Sequence, residues 1–140
     1  MPAPSVDISE LAVARPPVEL EERLAAQMRA MQDVNGFRAG AVVRRDGLPI
    51  HHTFRSEREA ASLCATAAAV VGASLVAGEE MGQDTFAHGL VQYRGSSLVL
   101  AEAGPEAIVA CLLGSDVNMG LALLTIRKVA KGVQGVLDEI

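Results

Sequence analysis

His51 and His52 stand side by side, and His88 stands alone. Imidazoles are the commonest protein metal ligands and titrate near neutral pH. Neighbours on a strand point to opposite faces, so His51 and His52 cannot readily share an ion. No Cys or His pair stands at metal-ligand spacing, and no metal site is expected. Ser96 and Ser97 lie outside any G-x-S-x-G nucleophile elbow. Gly72 and Gly78 are not followed by Lys-Ser/Thr, and no G-x-G-x-x-G occurs, so neither a phosphate loop nor a dinucleotide cofactor is expected. Glu79 and Glu80 end a helical stretch and read as a solvated cap. Asp116 and Asn118 precede a helix whose amides can receive an anion, but an N-cap is the simpler role. No acid–base or nucleophile set forms, so no residue is assigned a catalytic role, no cofactor is expected, and an enzyme ranks last among the functions considered.

With no chemistry to position, the elements themselves become informative. The chain has 140 residues, half of them apolar, which fits one domain with a substantial core. Aromatics are 3%, too few for base-stacking platforms. The net charge of −5 also disfavours nucleic acid. Arg38, Arg44, Arg45, Arg55 and Arg58 form a local basic stretch, read as a solvated strand edge or, more sharply, as a docking patch for an acidic partner. Cys64 and Cys111 lie inside apolar runs and read as buried free thiols, which points to a cytoplasmic setting. Residues 1–17 hold Pro2, Pro4, Pro16 and Pro17, lack the pattern of a signal peptide, and read as a flexible arm before a domain over 18–140.

Pro16 and Pro17 mark the start of a first helix, with Leu20, Leu24, Met28 and Met31 on its apolar stripe and Asn35-Gly36 as its stop. Asp46-Gly47 predicts a hairpin turn within 37–54, and Pro49 makes its second strand irregular or peripheral. Ser56 with Glu59 forms a capping box that opens an Ala-rich helix over 56–82. Strands are expected over 85–93, 97–103 and 106–114; the last two are apolar at both parities and so are covered on both faces. A final helix from about 118 carries the stripe Met119, Leu123, Ile126, Ala130, Val133, Leu137 and Ile140, with Gly132 and Gly135 weakening its end. The order α-β-β-α-β-β-β-α with short connections predicts one five-stranded antiparallel sheet with helices on both faces.

The middle helix carries no charge from Ala60 to Gly78. A helix apolar all round is buried all round or sits in a membrane. Eight Ala and two Gly among these nineteen residues drive insertion weakly, and Glu57, Glu59, Glu79 and Glu80 flank the run, so no membrane span is expected. One flank, Leu63, Ala67, Val71 and Leu75, is expected on the sheet. Another holds only small groups, Ala61, Ala65, Ala68, Ala69 and Gly72, which allow close helix approach. A twofold dimer covers that flank with no further sequence; the chain's own N-terminal arm is the alternative cover.

The segments VNGFRAGAVVRRDGLPI at 34–50, EREAA at 57–61 and DVNMGLALLTIRKV at 116–129 resemble the roadblock/dynein light chain family. In that pattern Gly36 precedes the first strand, Asp46-Gly47 turns after it, and Asn118-Met119-Gly120-Leu121 opens the last helix. The resemblance covers about residues 18–138 and implies a profilin-like α/β (α+β) domain. It implies dimerisation through the middle helix and the following strand, here Phe86, His88 and Leu90, joining two sheets. It further implies a non-catalytic regulator or scaffold for a small Ras-like GTPase. The other function weighed is a profilin-like or PAS-like sensory module with a small ligand between sheet and helix.

Overall fold

The computed structural model describes residues 18–83 and 85–140; the Pro-rich arm lies outside the described residues. Eight elements follow one another: α1 (Val18–Gln32), β1 (Phe37–Arg44), β2 (Pro49–His52), α2 (Glu57–Glu80), β3 (Gly89–Gln92), β4 (Ser96–Glu102), β5 (Ala107–Gly114) and α3 (Met119–Asp138). The strands form one antiparallel sheet in the order β2-β1-β5-β4-β3, as the predicted element order requires.

The alternation of side chains along the central strands divides the core in two. Val42, Val99, Ala101, Val109, Cys111 and Leu113 face α1 and α3, which lie together on one side. Ala41, Val43, Leu98, Leu100, Ile108 and Ala110 face α2, alone on the other. Both faces are covered, as strands apolar at both parities demand. The four buried residues of α1 are Leu20, Leu24, Met28 and Met31, the predicted stripe.

Turns fall where the backbone requires glycine. Gly36 and Gly47 have φ of 94° and 100°, a region that side chains disfavour. Asp46 stabilises the β1–β2 turn by pairing with Arg44 and accepting from the Leu48 amide. Pro49 begins β2, and the β1–β2 register shifts between Val42 and Val43, so the irregular edge strand is present. The basic stretch is not a strand edge, however: β1 lies between β2 and β5, and its cations are largely spent internally. Arg44 pairs with Asp46, Arg45 with Glu102 and the carbonyls of Gly104 and Pro105, and Arg55 loosely with Glu59.

Two elements depart from their sequence patterns. The strand expected over 85–93 is only Gly89–Gln92. Before Gly89 the chain leaves the sheet, and the partly buried Phe86 packs against the α2-side cluster. In α3 the buried residues are Ala122, Ile126, Val129, Ala130, Val133 and Val136, while Met119, Leu123, Leu137 and Ile140 pack only at the margin. The buried face is thus turned towards the small and β-branched residues. The helix runs through Gly132 and Gly135 without a break. Gly132 has a packing reason: a Cβ there would run into the Gln27 side chain of α1.

Candidate self-association surface

Ser56 starts α2, with its Oγ accepting from the Glu59 amide at 3.1 Å. At the other end the Met81 amide bonds back to Ala77 and Gly78, and Gly82 takes φ of 72°. Between these stops α2 rests on the sheet through Ala60, Cys64, Ala67 and Val71, all fully buried. The contact face is rotated from the expected one: Ala67 and Val71 are as predicted, Leu63 is half-buried, and Leu75 is exposed.

The rest of α2 faces outwards. Ala61, Ala65, Ala69 and Gly72 are exposed and Ala68 is half-buried. Val76 and Met81 are 63% and 69% exposed. A helix long and apolar enough to span a bilayer therefore keeps most of its surface bare in the single chain, while its inner face is fixed to the sheet. Gly72 is especially informative. A Cβ there would meet nothing within 4 Å, so nothing in the chain's own packing calls for glycine. Glycine within a helix costs about 1 kcal/mol relative to alanine. Ala65 and Ala68 differ: the Gly47 turn of the same chain closes on them, with its hypothetical Cβ 3.2 Å from Ala65 Cα and 3.5 Å from Ala68 Cβ.

β3 is the edge of the sheet beside β4, and among the described residues no strand pairs with its outer side. Phe86, His88 and Leu90 do not share one face. Leu90 pairs with Val99 and lies on the α1/α3 side, 43% exposed, whereas Phe86 packs on the α2 side. His88 is half-buried, and its Nδ1 is buried with no hydrogen-bond partner. Gly89 lies so close to Leu100 that a Cβ would sit 2.6 Å from Leu100 Cδ1.

His52 accepts from the Phe54 amide at Nδ1, which leaves Nε2–H to donate to Glu57 at 2.8 Å. His51 points the other way, towards α1, with Nδ1 3.7 Å from Glu21 and neither ring nitrogen hydrogen-bonded. Burial holds its pKa below the ordinary value, with Glu21 opposing. Burial pushes the Cys64 thiol up to about 12 and raises Cys111 further, so neither is a ready nucleophile. Among the described residues no three His, Cys, Asp or Glu side chains gather as a metal site. Asn118 is the predicted cap, its Oδ1 accepting from the Leu121 amide at 3.1 Å. Beside the C-terminal end of α2 lies an open groove of about 660 Å3, lined by Ser74, Leu75, Gly78, Met81, Thr85 and Phe86. Sequence reasoning missed this groove because it depends on where Thr85 and Phe86 lie against the end of α2.

A five-stranded antiparallel sheet with one helix on one face and two on the other is a profilin-like architecture; Acanthamoeba castellanii profilin II superposes with a TM-score of 0.51 at 12% identity, covering 83% of this chain and 97% of that one. More narrowly, the Roadblock/LC7 domain family model matches residues 23–113, and the chain belongs to that family. The uncharacterized protein MJ1340 of Methanocaldococcus jannaschii is 26% identical over 104 residues, 74% of this chain and 90% of that protein. The gliding protein MglB of Thermus thermophilus shares the fold with a TM-score of 0.79 at 16% identity, over 89% of this chain and 96% of that one. An MglB described as having a tetrameric arrangement superposes equally well, with a TM-score of 0.79 at 17% identity, over 89% and 94% of the two chains.

Proposed function

We propose that this chain is a homodimeric, non-catalytic regulatory or scaffold protein of the cytoplasm that binds a small Ras-like GTPase. The carrying observation is the bare, uncharged outer face of α2 with Gly72 at its centre. An exposed apolar surface of this extent marks a protein contact. A second copy of the same helix has the matching surface, and a closed twofold pair leaves nothing uncovered. The pair is formed by Ala61, Ala65, Ala68, Ala69 and Gly72 on the helix and by Phe86, His88 and Leu90 at and before the free edge of β3. Ala69 and Gly72 are its centre, since Ala65 and Ala68 already touch the Gly47 turn. Membership of the Roadblock/LC7 family and the fold shared with the gliding protein MglB support a regulatory role.

The test of the partner is direct. The purified chain is mixed with small GTPases encoded near its gene, each loaded with GDP or with a non-hydrolysable GTP analogue, and complexes are sized by light scattering. Binding in one nucleotide state is expected. No binding in either state removes the GTPase from the proposal while leaving the dimer standing.

The groove beside the C-terminal end of α2 favours a second reading, a profilin-like or PAS-like sensory module that takes a small ligand. A ligand that raises the melting temperature of the dimer, and whose effect Phe86→Ala abolishes, would establish it.

A further inference from the structure

The outer face of α3 is uncovered in a different way. Residues of an α-helix advance about 100° each. On that wheel Leu121, Leu124, Lys128 and Lys131 form one strip, opposite the buried Ala122, Ile126, Val129 and Val133. Leu121 and Leu124 are 49% and 54% exposed. Arg127 borders the strip, and Arg127, Lys128 and Lys131 form no ion pair with any described residue. The first acid of the helix is Asp138, on its last turn. In a chain of net charge −5, two exposed leucines and three unpaired cations on one helix are a surface with a defined complement.

We propose that the complement is the chain's own segment Val6-Asp7-Ile8-Ser9-Glu10-Leu11, docked along this strip. Its apolar Val6, Ile8 and Leu11 match the two leucines, and Asp7 and Glu10 match the cations. Reach is sufficient. α1 runs antiparallel to α3: Arg23 pairs with Glu139, Gln27 lies against Gly132, and Gly36 against Val117. Val18 therefore starts near the C-terminal end of α3. From Asp138 back to Leu124 is about 21 Å at about 1.5 Å per residue. The ten steps from Val18 back to Ile8 span up to about 33 Å when extended. The face of α2 is the poorer dock, because it offers no cation between Ala60 and Gly78 to meet Asp7 and Glu10. The arm and a second copy thus have separate surfaces, and this inference stands apart from the proposed function.

The test uses the full chain carrying Ile8→Cys and Leu124→Cys. Cys64 and Cys111 are buried, so the introduced thiols react first. A short bismaleimide should join them within one chain, read by gel mobility and peptide mass. The yield should fall about fivefold in Lys128→Glu/Lys131→Glu and in molar salt, because exposed ion pairs are weak and screened. The control pair Ile8→Cys with Arg58→Cys places the second thiol on α2, across the sheet, and should link poorly. Equal linking in the control, or linking only between two chains, overturns the proposal. A second readout is the maleimide labelling rate of Leu124→Cys alone, which should rise about fivefold when Asp7→Lys/Glu10→Lys is added. An unchanged rate, or protection by phosphatidylserine vesicles in place of the arm, assigns the strip to another occupant and overturns the proposal.

Discussion

α2 and α3 cover opposite faces of the same sheet with opposite strategies. α3 buries Ile126 and three valines and, with α1, encloses Leu20, Leu24, Met28 and Met31. Its outer side carries the cations Arg127, Lys128 and Lys131. α2 is longer, yet it grips the sheet with two alanines, a cysteine and one valine, and its outer side bears no charge from Ala60 to Gly78. Buried apolar area sets the strength of such contacts, so the single chain holds α2 far less firmly than the α1/α3 pair. The difference teaches where each helix can find its stability: α3 within the chain and, in the proposed dimer, α2 from a second copy.

The largest effect expected from breaking this contrast is at Ala69. Ala69→Glu places a carboxylate at the centre of the proposed α2 seam, and an uncompensated buried charge costs about 3 kcal/mol or more. The dimer should weaken more than a hundredfold by sedimentation, about 1.4 kcal/mol per factor of ten, while the circular dichroism of the chain is retained. A change of the same kind on α3, Leu124→Glu, should leave the dimer intact.

On the α1/α3 side, truncation should cost chain stability instead. Leu24→Ala is expected to lower the unfolding free energy by about 2–5 kcal/mol in urea titrations. Val71→Ala beneath α2 should cost less, about 2 kcal/mol. If Val71→Ala proves the more damaging, the contrast between the two faces is misdrawn.

Glycine offers a finer comparison. Gly72 and Gly135 both point into open space in the single chain. Gly135→Ala should stabilise by about 0.5–1 kcal/mol, the ordinary gain in helix propensity. Gly72→Ala should instead raise the dimer dissociation constant about tenfold, since in the proposed dimer a methyl group then separates closely packed helices. Equal behaviour of the two variants would mean that Gly72 is not packed against a second helix.

The smallest effect concerns pH. The folded pKa of His51 is depressed by burial, so between that value and about 6.5 the unfolded chain binds more protons. Its contribution to stability is present above about pH 6.5 and is lost as the pH falls below it. His51→Gln should therefore flatten the fall in urea midpoint between pH 7.5 and pH 5.5.

Much of the fold is legible in the sequence because short, strong local signals coincide. Asp46-Gly47, the Ser56 cap, the Asn118 cap and the α1 stripe each mark an element, and the order of elements leaves one simple sheet. The α3 stripe is less legible, because its leucines and its smaller residues both repeat at helical spacing and only packing decides which set goes inside. The 85–88 segment is legible as part of a strand but not as a departure from the sheet, since Phe86 packs against the α2-side cluster through long-range contact. The surface of α2 is half legible. Its lack of charge is plain in the sequence, whereas the closing of the Gly47 turn on Ala65 and Ala68, which moves the open centre towards Ala69 and Gly72, needs the fold.

Sedimentation equilibrium of the unmodified chain, with Ala69→Glu alongside, bears most directly on the central claim. At tens of micromolar the unmodified chain should sediment at twice its mass of 14.6 kDa, and Ala69→Glu at 14.6 kDa as a folded monomer. An unmodified chain that sediments at 14.6 kDa, or an Ala69→Glu chain that remains a native dimer, would contradict the assignment of α2 to self-association.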